Sequence, residues 1–200
     1  MRGSEVSVTQ KRCEWVGGDP LSVRYHDEEW GVPVHDDRKL FEFMVLDGMQ
    51  AGLSWMTILR KRENFRRAFA DFDAEKIAAF GENKIQALLR DEGIIRNRLK
   101  IEGAVKNARA FLSVRKENGS FDRYIWSFVK GRTIQNSWDK MTDIPVNTEE
   151  SDAMSADLKK RGFRFVGSTI CYAFMQAAGL VNDHTTDCFR YDELLRLQPS

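Results

Sequence analysis

The sequence predicts an all-α protein on three observations. Apolar residues recur at helical spacing along most of the chain, helix-stop signals such as Asn118-Gly119 separate the runs, and no segment alternates apolar and polar residues over a strand length. With 200 residues and 42% hydrophobic content, the chain can bury a sizeable core. The expected organisation is a flexible N-terminal extension over 1–12, a single domain with room for two helical lobes over 13–190, and a C-terminal tail over 191–200.

The extension, MRGSEVSVTQKR, is polar and carries no apolar period. Asp36 or Asp37 then caps a helix whose Leu40, Phe41, Met44 and Val45 share a face. A second helix starts at Ser54 and carries Trp55, Ile58, Leu59, Phe65 and Phe69. Shorter helices follow from Ala74 to Phe80 and from Asn83 to Asp91, and the period breaks at Gly93. Ile101, Val105, Ala108 and Leu112 mark a long helix that stops at Asn118-Gly119. Another runs from Ser120 through Tyr124, Ile125 and Phe128 to Val129. The stretch from Gly131 to Asn147, with Pro145, reads as a long connection. Ser151 caps a helix closed by Gly162, and Ser168 caps a last one over Thr169 to Ala178, closed by Gly179.

Thirty-one basic against thirty acidic residues give a net charge of +1, which excludes a strong global field toward nucleic acid or membrane. Attraction must be local, at Arg60, Lys61, Arg62, Arg66 and Arg67, at Arg96, Arg98 and Lys100, or at Lys159, Lys160, Arg161 and Arg164. No apolar run approaches the roughly 18 residues of a membrane span, so a soluble, cytoplasmic protein is expected. Three cysteines, at 13, 171 and 188, do not form a disulfide framework. His184 and Cys188 stand four apart, a spacing at which two side chains can share a cation, and Cys13 and His26 can supply two more ligands. Spacing alone still favours buried thiols and hydrogen-bonded histidines. Four protein ligands would leave a metal no open position, so such a site would be structural.

Three segments carry a resemblance: CEWVGGDPLSVRYHDEEWGVP from Cys13 to Pro33, LDGMQAGLSWMTILRKRENFRRAF from Leu46 to Phe69, and RGFRFVGSTICYAFMQAAGLVNDH from Arg161 to His184. In order and spacing they resemble the 3-methyladenine DNA glycosylase I family, from about Cys13 to about Cys188. The resemblance implies a helix-hairpin-helix fold whose N- and C-terminal segments are joined by one structural zinc ion on Cys13, His26, His184 and Cys188. It also implies excision of 3-methyladenine from alkylated double-stranded DNA, leaving an abasic site and the free base.

By the same resemblance the lesion pocket lies at Tyr25, Trp30, Asp47 and Trp55, with Asp47 the catalytic carboxylate. Aromatic faces suit a flipped base that carries positive charge, and a carboxylate adds attraction and an acceptor. The family pattern has glutamate where this chain has Asp47, a reach shorter by roughly 1.5 Å. Trp15, Trp126 and Trp138 are expected in the core or the pocket wall. Within Gln50-Ala51-Gly52-Leu53, Leu53 is the candidate to fill the gap left by the flipped base. Gly93 and Arg96 stand in a segment resembling the phosphate-holding hairpin, with Arg98 and Lys100 behind them. Glu117 and Asp122 receive no role. No lysine stands out as a Schiff-base nucleophile, so a monofunctional, monomeric enzyme is expected. Its rivals are a non-catalytic, zinc-stabilised DNA-binding module and a zinc hydrolase of another substrate.

Overall fold

The structure, a computed structural model, describes residues 10–197. They form ten α-helices, three single-turn 3-10 helices and one minimal β-pair: α1 (Pro20–Glu28), α2 (Asp37–Gln50), α3 (Trp55–Ala68), α4 (Ala74–Ala78), α5 (Glu82–Arg90), α6 (Arg98–Asn118), α7 (Phe121–Ser127), β1 (Ile134–Gln135), α8 (Glu149–Lys160), α9 (Ser168–Ala177), β2 (Val181–Asn182) and α10 (Phe189–Arg196).

Helix α2 is the axis of the core. Asp36 caps it through the Lys39 amide at 2.8 Å, and every residue from Leu40 to Met49 is buried. The sequence showed only one apolar face because Glu42, Asp47 and Gly48 interrupt the others. Helices α3, α6, α7 and α9 all pack on α2, so a polar residue within its Leu40 to Met49 stretch is enclosed. Two glycines permit close contacts at the edge of this core. A Cβ on Gly179, at φ +73°, would lie 2.4 Å from the Val32 carbonyl carbon, and one on Gly103 would lie 2.9 Å from the Phe165 ring.

Several elements differ from expectation. Helix α1 opens on Asp19, whose side chain accepts from the Leu21 amide, with Pro20 in its first turn. Its apolar face is too broken for periodicity to reveal. Thr148, rather than Ser151, caps α8, and Ser151 completes the reciprocal capping box from the third position. Gly167 is the N-cap of α9, so Ser168 lies one residue inside the helix. The β1–β2 pair is parallel, with Ile134 opposite Val181, and two residues per strand leave no alternation to detect. The domain boundary drawn at 190 falls inside α10, where Leu194 is buried. Of the expected extension 1–12, residues 1–9 lie outside the described residues. Residues 11 and 12 are tied down: the Phe189 amide donates to the Lys11 carbonyl, and Arg12 forks onto Asp27 at 2.7–3.0 Å.

Candidate active site and metal centre

A cavity of about 290 Å³ opens between α1, α2, the start of α3 and α9, walled by Trp15, Tyr25, Trp30 and Trp55. Tyr25 comes from α1 and Trp55 from the first turn of α3, and their ring centroids lie 5.1 Å apart. Trp15 meets Trp30 edge to face, also at 5.1 Å. The polar lining is Asp47, Gln50 and Gln176, and Met141, Ala173 and Ala177 complete the wall.

Asp47 sits in the interior of α2, so it does not cap the turn before Gly48. It is buried, and its Oδ2 has no hydrogen-bond partner. Burial drives its pKa well above the usual carboxylate range, and the charge of Arg62 acts in the opposite sense. Burial also raises the Tyr25 hydroxyl, with the Asp47 charge adding to the effect.

Behind the cavity Arg62 is nearly enclosed. Its Nε donates to Glu42 at 2.7 Å, and its two terminal nitrogens fork onto Glu29 at 2.8 Å each. Burial works to raise the carboxyls of Glu29 and Glu42, yet the bonds and charges of Arg62 and Lys39 hold both below their ordinary values. The network fastens α1, α2 and α3 at the cavity's rear.

On the other side of Trp30 the segments carrying Cys13 and His26 meet those carrying His184 and Cys188. Cys13, His26, His184 and Cys188 are all buried, with their ligand atoms within 4.8 Å of one another, and they can hold a metal ion. Cys188 Sγ lies 3.4 Å from both His26 Nε2 and His184 Nδ1, and Cys13 Sγ lies 3.5 Å from His184 Nδ1. Each imidazole spends its other nitrogen outside the cluster. His26 Nδ1 bonds Asp27 at 2.7 Å, and His184 Nε2 bonds the Trp30 carbonyl at 3.1 Å. Those outer bonds fix the tautomers that point bare nitrogens inward. Hydrogen bonding from Cys13 favours the Cys188 thiolate, and that same bond together with burial keeps the Cys13 proton on. The donor set therefore suits a cation that would displace that remaining proton.

The family model for methyladenine glycosylase matches residues 15–191. The chain belongs to the methyladenine glycosylase family. It is 51% identical over 181 residues to DNA-3-methyladenine glycosylase 1 of Escherichia coli strain K12, covering 90% of this chain and 97% of that protein. Its fold superposes with a TM-score of 0.88 on a crystal structure of 3-methyladenine DNA glycosylase I at 54% identity, covering 90% of this chain and 98% of the other. A variant of another 3-methyladenine DNA glycosylase I, solved in complex with 3-methyladenine, gives a TM-score of 0.87 at 35% identity, over 89% and 96% of the two chains. The chain is thus a monofunctional DNA glycosylase.

Within this glycosylase the structure brings Tyr25, Trp30, Asp47 and Trp55 onto one cavity and Cys13, His26, His184 and Cys188 into one cluster. Trp15 joins the cavity wall, whereas Trp126 donates to the Val34 carbonyl and Trp138 to Asp183. Leu53 is 42% exposed on the tight turn between α2 and α3. The turn closes by a 2.6 Å bond from the Leu53 amide to the Gln50 carbonyl, and Gly52 takes the φ of +78° that it requires.

The hairpin region differs more from expectation. The Gly93 amide is committed to Asp91 at 2.8 Å, and a Cβ there would meet Asp91 and Asn64 at 2.9–3.0 Å, so this glycine serves close packing. Arg96 projects outward, half-exposed, 3.4 Å from Glu92. Lys100 turns inward, donating to the carbonyls of Met49 at 2.8 Å and Ala51 at 2.5 Å, where it caps the C-terminus of α2. Reading Lys100 as one of a basic trio missed this, because spacing does not reveal which helical cation faces carbonyls. Gln176 escaped notice too: an amide among apolar neighbours on α9 gives no sequence signal.

Proposed function

We propose that this glycosylase flips a 3-methyladenine nucleotide out of alkylated duplex DNA into the aromatic cavity and hydrolyses its glycosidic bond. The observation that carries the reading is Asp47, an enclosed carboxyl with an unpartnered oxygen in a cavity walled by three tryptophans and a tyrosine. A buried polar atom left unpaired is costly, and such sites recur where a ligand completes them. A 3-methylated adenine is cationic while joined to the sugar. The faces of Tyr25, Trp30 and Trp55 attract it, worth about 1–2 kcal/mol when desolvated. Burial favours the neutral carboxyl of Asp47, and an entering cation pulls it toward the carboxylate.

The base leaves neutral and needs no protonation. The bond from C1′ to N9 breaks with its electron pair going to the base, Asp47 stabilises the developing sugar cation, and water adds its oxygen to C1′ while its proton passes to solvent. The products are free 3-methyladenine and an abasic site. Leu53, exposed beside the cavity mouth, fills the vacated stack. Arg96 faces the phosphates and the segment around Gly93 supports it from behind. The enzyme acts as a cytoplasmic monomer on this reading. Among the described residues no helix is long and apolar enough to cross a membrane.

Zinc is the metal that the Cys13, His26, His184 and Cys188 set would take. Tetrahedral zinc with about 2.3 Å bonds to sulfur and 2.0–2.1 Å bonds to nitrogen separates those ligands by roughly 3.5 Å. The sulfur–nitrogen distances of 3.4–3.5 Å fit that geometry. All four positions would be filled by protein, which suits a structural ion and argues against a zinc hydrolase.

The test is release of base from methylated duplex DNA by wild type and by Asp47→Asn. A loss of about 10²-fold or more is expected for removing an electrostatic stabiliser of this kind. Equal rates would end the case for the carboxylate. Tight lesion binding without release by the wild type would favour the non-catalytic module.

A further inference from the structure

Asp183 lies fully buried between β2 and the metal centre and accepts four hydrogen bonds. Tyr172 Oη donates to its Oδ2 at 2.6 Å and Gln176 Nε2 to the same atom at 2.7 Å. Asn136 Nδ2 donates to Oδ1 at 2.7 Å and Trp138 Nε1 at 2.8 Å. A carboxylate takes only donors from its neighbours, so the Gln176 amide can face Asp183 only with its NH₂ group. The flip that leaves most glutamine amides ambiguous is closed off here on chemical grounds.

The carbonyl oxygen at the other side of that amide, Oε1, accepts no hydrogen bond among the described residues, and Gln176 lines the aromatic cavity. The cavity's other amide, Gln50, has no side-chain partner that fixes its orientation, and a freely flipping amide offers donor and acceptor equally. A fixed amide offers one sign only. We propose that Gln176 is a specificity-determining residue: Asp183 locks it so that it presents an acceptor to the base, which selects purines carrying an amine at C6 over those carrying a carbonyl.

An exocyclic amine has two N–H groups, so Gln176 can take one while Asp47 takes another. A C6 carbonyl set against Gln176 Oε1 would place two acceptors face to face and leave both unpaired in a desolvated site. Discrimination then comes from repulsion against the wrong base as much as attraction to the right one.

This proposal rests on the cavity being the base-binding site, and a binding experiment separates the two. Free 3-methyladenine and free 3-methylhypoxanthine, which differ at C6, are titrated against wild type, Gln176→Met and Gln176→Leu, with cavity tryptophan fluorescence as the signal. Wild type is expected to prefer the amine-bearing base. Both variants should bind 3-methyladenine about tenfold more weakly, the effect of one lost hydrogen bond, with 3-methylhypoxanthine unchanged or tighter. Equal weakening of both bases would assign Gln176 a purely structural role and overturn the proposal, as would unchanged preference in the variants. Absence of any fluorescence response to 3-methyladenine in wild type would instead strike the cavity reading itself.

Discussion

His184 Nε2 sits 3.1 Å from the carbonyl oxygen of Trp30, so a residue of the Cys/His cluster holds the backbone of a cavity wall directly. Gly31, at φ +80°, makes this contact possible: a Cβ there would lie 3.1 Å from the same ring nitrogen. Disturbing the cluster should therefore be felt in the cavity. Cys188→Ala, or removal of metal by a chelator, is expected to lower Tm and weaken free 3-methyladenine binding together, because a structural metal contributes folding free energy. Protein analysed for zinc before and after should show both losses tracking metal content. Unchanged base affinity in metal-free protein would disprove the linkage.

Asp47→Asn separates stability from activity. The folded protein holds the Asp47 proton above the ordinary carboxyl range, chiefly through burial. Between the unfolded value near 3.9 and the raised folded value, the native state binds more protons than the unfolded one, so this group's contribution to stability falls as pH rises. The variant should therefore gain Tm over wild type at neutral pH, about 2–4 °C for each kcal/mol relieved, while base release collapses. A variant less stable than wild type at pH 7 would contradict the assignment of Asp47 as a functionally retained cost.

The Arg62 network has the opposite sign. Glu29 and Glu42 keep folded values below their unfolded ones, so their contribution is present above about pH 4.3 and is lost as pH falls through the folded values. Arg62→Met leaves Glu29 with Lys39 and Glu42 with Lys39 and Arg66, without the fork, and a cost of about 3–5 kcal/mol is expected for breaking such a buried set. Thermal melts from pH 3 to pH 7 should show wild-type Tm rising more steeply with pH than that of the variant.

Lys100→Met should leave the cavity intact but loosen the turn that carries Leu53. Two charged hydrogen bonds to the end of α2 are removed, worth roughly 1.5–3 kcal/mol each at most. Duplex lesion binding should weaken with little change in free-base affinity, and Leu53→Ala should reproduce that split without the drop in Tm. Equal effects on duplex and free base would place Lys100 in the cavity's support rather than the turn's.

The helices from α2 to α9 were legible in the sequence, through apolar stripes or through their caps and closing glycines. Helix α1 was not, since its buried positions are Ser22, Tyr25 and His26, chosen for the site rather than for a core face. Tyr25, Trp30, Asp47 and Trp55 could be named only through resemblance, since aromatic and acidic residues alone look like ordinary core and caps, whereas the four cluster residues were offered by spacing, which on its own still favoured buried thiols and hydrogen-bonded histidines. Gln176 and Lys100 stayed hidden for a shared reason. Their roles depend on which distant partner they meet, Asp183 in one case and the Ala51 carbonyl in the other, and neither pairing leaves a local pattern.

The joining of Cys13 and His26 to His184 and Cys188 also orders events in time. During synthesis the first two residues emerge long before the last two, so the Trp30 carbonyl lacks its His184 partner until that later pair has been made. A ribosome that stalls early, or a protease that removes the end, yields a fragment without a closed base-binding wall. On the proposed reading, such a fragment lacks the finished wall of the site that would release bases from the genome.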